Sequence, residues 1–131
     1  MRELALLFNF EDKSQINAVK QVFALAKVFV KIIPEERFGM TLEALVKNES
    51  DKTPEESQER KFDEQMIVFA GLTKRKLYMI LDLLRNDSRC GKIPYKAVLT
   101  ETNQKWDAFT LLEELKKEHA AMHGKTDKEQ K

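Results

Sequence analysis

Residues 94 to 106 read Pro-Tyr-Lys-Ala-Val-Leu-Thr-Glu-Thr-Asn-Gln-Lys-Trp, a strand running into a polar turn. Val98 and Leu99 form the apolar centre of a short buried strand. The Thr-Glu-Thr-Asn run after them consists of residues whose side chains bond back to nearby backbone, so the strand ends in a polar turn. A helix follows from about Asp107, marked by Phe109, Leu111, Leu112 and Leu115. Working backwards, Ile93 to Leu99 is a strand, and Leu77, Ile80, Leu81, Leu83 and Leu84 form the apolar stripe of a helix. Met66 to Phe69 is an earlier strand, followed by Gly71 as a turn and Thr73 as an N-cap. The order is β-α-β-α.

The same order stands earlier in the chain. Leu4 to Phe10 is a dense apolar run suited to an internal strand, and Asp12 caps a helix striped by Ile16, Val19, Val22, Phe23 and Ala26. Val28 to Ile33 is a β-branched strand that stops at Pro34. After a turn at 35 to 39, Thr41 caps a short helix carrying Leu42, Leu45 and Val46. At a constant offset, Leu6, Leu7 and Phe8 fall on Ile67, Val68 and Phe69, Asp12 on Thr73, and Val19 and Phe23 on Ile80 and Leu84. Leu42, Glu43 and Leu45 match Leu112, Glu113 and Leu115 once an insertion at 86 to 92 is allowed. This pattern points to an internal duplication, beside the plainer alternative that any two β-α-β-α units share such a pattern.

A strand, helix, strand order requires a crossover between parallel strands. Two such units meeting edge to edge give the expected fold class: α+β, two β-α-β-α halves forming a four-stranded sheet with helices on one face, of the ferredoxin-like, split β-α-β type. The expected organisation is a single compact domain. Residues 1-47 are the first half, 48-65 a polar linker, 66-119 the second half and 120-131 a disordered tail.

Composition narrows the function classes. With 23 basic and 22 acidic residues among 131, the net charge is +1, so no whole-molecule field draws in nucleic acid or an anionic membrane. No apolar run approaches a membrane span, and the N-terminus carries an acid and no small-residue cleavage site, so the expected location is cytoplasmic. The single cysteine, Cys90, rules out an intrachain disulfide and a cysteine-based zinc cluster.

The second half, with Met-Ile-Val-Phe-Ala-Gly-Leu-Thr at 66 to 73, Lys-Ala-Val-Leu-Thr-x-Thr-Asn-x-x-Trp at 96 to 106 and Leu-Leu-Glu-Glu-Leu at 111 to 115, resembles a small bacterial family classed only as a domain of unknown function. Gly71, Lys96, Thr100, Thr102, Asn103, Trp106 and His119 carry the resemblance. Glu101 stands where that pattern has proline or another small turn residue. The resemblance covers about half the chain and implies a compact α+β domain of a cytosolic bacterial protein, with no activity attached.

Thr100, Thr102, Asn103 and Trp106 gather hydroxyls, an amide and an indole at the carboxyl end of a strand, where α/β sheets bind ligands. The competing and weightier reading is turn stabilisation by Thr and Asn with a Trp core plug. Lys74 and Arg75, followed by Lys76, open a helix against its own dipole, a conflict that bound phosphate relieves. No phosphate-loop motif accompanies them, and a solvated helix start outweighs a phosphate site. His119 and His123 have metal-sharing spacing but lack the intervening glutamate and lie near the helix end. Cys90, in a polar loop beside a cation, has no histidine base near it and reads as open to adventitious oxidation.

No catalytic residues, metal or cofactor are therefore expected. The leading expectation is a non-enzymatic interaction or regulatory domain with a protein partner or self-association. The alternative is a small-ligand or phosphate-binding domain using the turn at 100-106. An RNA-binding sheet would need Phe8 and Phe69 exposed on adjacent strands.

Overall fold

The computed structural model describes residues 3–47 and 62–129, with the side chains of 121–129 left out of the description. Four strands and four helices alternate: β1 (Leu4–Phe8), α1 (Lys13–Leu25), β2 (Phe29–Ile33), α2 (Leu42–Lys47), β3 (Met66–Ala70), α3 (Lys74–Asn86), β4 (Tyr95–Val98) and α4 (Ala108–Glu129). Each helix starts where a short polar side chain can take up an orphan amide. Asp12 accepts from the Gln15 N–H and Thr73 from the Lys76 N–H. Thr41 accepts from Ala44 at 3.2 Å, and Asp107 from Thr110 at 2.8 Å.

The class is the expected one, α+β with a single four-stranded sheet inside one chain. Its order is β2-β1-β3-β4. β1 and β2 are parallel, β3 and β4 are parallel, and the units meet edge to edge through the antiparallel pair β1–β3, centred on Leu6 opposite Val68. Each crossover joins direct neighbours, so no strand splits either β-α-β unit.

The helices lie on both faces of the sheet, not on one as the sequence suggested. Leu4, Leu6 and Phe8 with Met66, Val68 and Ala70 pack against α2 and α4. Ala5 and Leu7 with Ile67 and Phe69 pack against α1 and α3. The cause is in the strands themselves. Every residue of β1 and β3 is buried, and a strand with no polar alternation needs cover on both sides.

This layering also corrects the correspondence between the halves. Residues that share a face must correspond, so Leu4 matches Met66 and Phe8 matches Ala70, one position away from the match read in the sequence. A one-residue slip would turn every side chain to the opposite face. The helices do correspond as read, Val19 with Ile80 and Phe23 with Leu84, because the β1–α1 connection is one residue longer than β3–α3. Asn9 and Gly71, the first residues after β1 and β3, both have left-handed backbone, with φ of 66° and 75°. Thr41 and Asp107, the caps of α2 and α4, bridge each other. Counted from these caps, Leu42 falls on Ala108, four residues before the match with Leu112.

The expected linker lies outside the described residues over 48–61, but its last residues belong to the packed body. The Phe62 ring stacks on Phe38 with centroids 5.0 Å apart and meets Phe109 edge-on at 5.6 Å. The Asn9 Nδ2 donates to the Phe62 and Glu64 carbonyls at 2.8 and 3.1 Å, which its left-handed backbone allows. Gln15 and Gln65 exchange amide hydrogen bonds of 2.9 and 2.7 Å. Glu64 pairs with Lys116 at 2.6 Å, which holds its carboxyl below the usual carboxylate range. At the other end, α4 runs to Glu129, so the tail expected from 120 is helical up to that residue.

Candidate functional site

The turn after β4 is built by one buried side chain. Asn103 accepts the Thr100 N–H at its Oδ1 at 2.8 Å and donates from Nδ2 to the Val98 carbonyl at 3.0 Å. The Asn103 N–H donates to the Thr100 hydroxyl at 3.0 Å. Asn103 is the only buried polar side chain among the described residues, at 8% exposure, and none of its polar atoms is orphaned. Its chemistry is spent on the chain itself.

Trp106 is half-buried against the α2/α4 layer, and its carbonyl accepts the Leu42 N–H at 2.9 Å. Thr102 is exposed and makes no side-chain cap. Thr100, Asn103 and Trp106 do come together on the wall of a cleft of about 410 Å³ between β4 and α4. Thr102, Lys74 and Arg75 do not line it. Lys74 and Arg75 are exposed at the start of α3, the helix on the opposite face, and Lys76 pairs with Glu3 at 2.7 Å.

Residues not singled out in the sequence complete the cleft. Leu111, Glu114, Leu115 and Glu118 recur at helical spacing on one face of α4 and form the wall facing β4. The Lys96 side chain lies at the β4 rim, where its Nζ donates to the Ile93 carbonyl at 2.8 Å, and burial pushes its pKa down. The acidic wall is only weakly compensated. Glu114 meets Lys117 at 3.4 Å with both groups largely exposed, a pairing worth little in water, and Glu118 has no partner among the described residues.

β4 is an outer strand. The Leu99 N–H donates to Phe69 at 2.8 Å, so the main chain of 95, 97 and 99 turns toward β3. The main chain of Lys96 and Val98 then points away from the sheet. Asn103 occupies the Val98 carbonyl, which leaves the Lys96 N–H and C=O and the Val98 N–H along the rim.

Other sequence candidates take different places. Phe8 and Phe69 are fully buried on opposite faces, so neither presents a stacking surface for RNA. The His119 ring lies 4.9 Å from the Tyr95 ring, and the His123 side chain lies outside the description. No group of three metal-ligating side chains occurs among the described residues.

Cys90 is fully buried, not exposed to oxidation as the polar loop suggested. A 3-10 turn, Ser88–Cys90, tucks it against α1, and its carbonyl accepts from Gln15 Nε2 at 2.8 Å. Burial pushes the thiol pKa above its ordinary value, and Asp87 adds to the effect. A raised acid contributes stability fully present below its unfolded pKa and lost as pH rises through the folded value. The stability difference between the native chain and Cys90→Ala is therefore expected to shrink as pH rises above about 8.5. Urea midpoints taken across that range check this; a constant difference would mean that the thiol is hydrated.

These features define a small α+β domain of two β-α-β-α units with an open cleft beside an outer strand. Residues 65–122, the second unit and its cleft, match the model of a family described as a domain of unknown function (DUF3783). No curated protein and no solved structure matches the chain. Among the described residues, no helix is long and apolar enough to cross a membrane.

Proposed function

We propose that the chain is a non-enzymatic interaction or regulatory domain of the bacterial cytosol, acting through contact between sheet edges. One observation carries this reading. Of the large apolar side chains that are exposed, Phe29, Ile32 and Val98 lie on the two outer strands, with Phe29 at 62%. An outer strand with apolar side chains and outward backbone groups is a template for another chain. β2 carries a single charge, and the Lys31 Nζ reaches the Leu45 carbonyl at 2.8 Å, so this edge is poorly defended against pairing.

Light scattering across a concentration series tests it. The native chain is expected to exceed the mass of one copy at high concentration, and Phe29→Lys to remain monomeric. A native chain that is monomeric throughout would remove β2 as a contact edge.

The alternative, a small-ligand or phosphate-binding domain at 100–106, draws support from the cleft that Thr100, Asn103 and Trp106 line. Its anionic form fits poorly. The charged side chains on the α4 wall are Glu114 and Glu118, and Lys74 and Arg75 lie away from the cleft. A saturable thermal shift with phosphate or a nucleotide would favour this reading, because a ligand stabilises the state it binds.

A further inference from the structure

The β4–α4 cleft joins three features that one occupant can satisfy together: outward backbone groups on a strand rim, an apolar floor, and an acidic helical wall. We infer that it receives an extended, basic peptide segment of a partner protein, added as a strand along β4. This rests on the interaction reading above and names the partner class for the second edge.

The backbone sets the shape of the occupant. The Lys96 N–H and C=O and the Val98 N–H face outward, and only an extended main chain presents donors and acceptors at matching spacing. Alternate side chains of such a strand would point into the cleft, over Leu111, Leu115 and Trp106. The wall sets the charge. Glu114 and Glu118 stand one helical turn apart above that floor, and the strand's own Lys96 amine is held by the Ile93 carbonyl. Lys or Arg at alternate positions of the incoming strand would answer both carboxylates.

A second copy is the poorer occupant. Pairing β4 with β4 across a two-fold would bring two α4 helices side by side, with Glu114 and Glu118 of each copy facing like charge. A free polyamine satisfies the carboxylates but not the rim. Asn103 limits the register, since it closes the Val98 carbonyl, so the strand ends before the turn.

The test uses a fluorescent Lys-Val-Lys-Val-Lys-Val peptide, titrated by anisotropy into the full chain at low salt. Saturable binding is expected, weakening as salt rises. Glu114→Gln with Glu118→Gln should weaken it about tenfold, roughly the combined effect of two partly exposed charge pairs. The Val98 amide should gain protection from hydrogen exchange in the complex. A peptide with proline at alternate positions should fail, because it lacks the donors that pair with the rim. No binding, equal binding of the proline peptide, or full competition by spermidine without Val98 protection would each overturn the inference. If self-association through β2 persists in any of these cases, the interaction reading stands and only this occupant falls.

Discussion

Phe38→Ala is expected to cost about 3–5 kcal/mol of unfolding free energy, in the range of large-to-small substitutions at buried aromatic positions. Phe38 is 1% exposed and joins four parts of the chain. Its ring meets Phe8 of β1 at 5.3 Å, Phe62 at 5.0 Å and Phe109 of α4 at 6.3 Å. Each such pair adds roughly 0.5–1.5 kcal/mol beyond area burial. The alanine variant thus loses the apolar volume and three ring contacts at once. A domain of this size has about 5–15 kcal/mol in total, so the loss is a large share of it. Phe62→Ala should cost less, because Phe62 is half-buried and water can enter behind it. The two substitutions should be non-additive, since they share a contact. Urea unfolding of the single and double variants checks this; a loss under about 1 kcal/mol for Phe38→Ala would mean that the four rings do not share one core.

Much of the fold was legible because its elements announce themselves locally. Asp12, Thr41 and Thr73 each precede an apolar stripe and each caps a helix as read, while Asp107, read only as the start of the last helix, is the cap of α4. The two-sided cover was not read, since helices were expected on one face, although its mark is local. Leu-Ala-Leu-Leu-Phe and Met-Ile-Val-Phe-Ala have no polar alternation, the mark of strands buried on both faces. Phe62 was missed for a different reason. A single aromatic in a polar run has no period, and only its three-dimensional neighbours give it a role.

The site was legible in part. Thr100, Asn103 and Trp106 do share a wall, and Asn103 does stabilise a turn. Glu114 and Glu118 were invisible as site residues, because a solvated helix face and a cleft wall carry the same spacing. What separates them is the position of β4 at the sheet edge, and strand order is not a local property. Cys90 shows the same limit. Its neighbours in sequence are polar, while its neighbours in space are the apolar side chains of α1 and α3.

Asn103→Ala is expected to destabilise the chain by about 2 kcal/mol, from two lost side-chain hydrogen bonds and the groups they leave behind. The Thr100 N–H and the Val98 carbonyl would both lose their partners. Each lies near the surface, so water relieves part of the cost and keeps it below that of a deep core deletion. Thr100→Ala should cost less, about 0.5–1 kcal/mol, because it removes one bond from an exposed hydroxyl. The Thr100 amide should exchange with solvent faster in Asn103→Ala, while the β1 amides, in the centre of the sheet, keep their relative protection. This comparison separates structure from recognition at the turn. Asn103→Ala also frees the Val98 carbonyl at the rim and so lengthens the open edge of β4. If Asn103 only holds the turn, the variant is less stable but its folded fraction still binds a basic peptide. If Asn103 contacts the occupant directly, affinity falls even under conditions where the variant is fully folded.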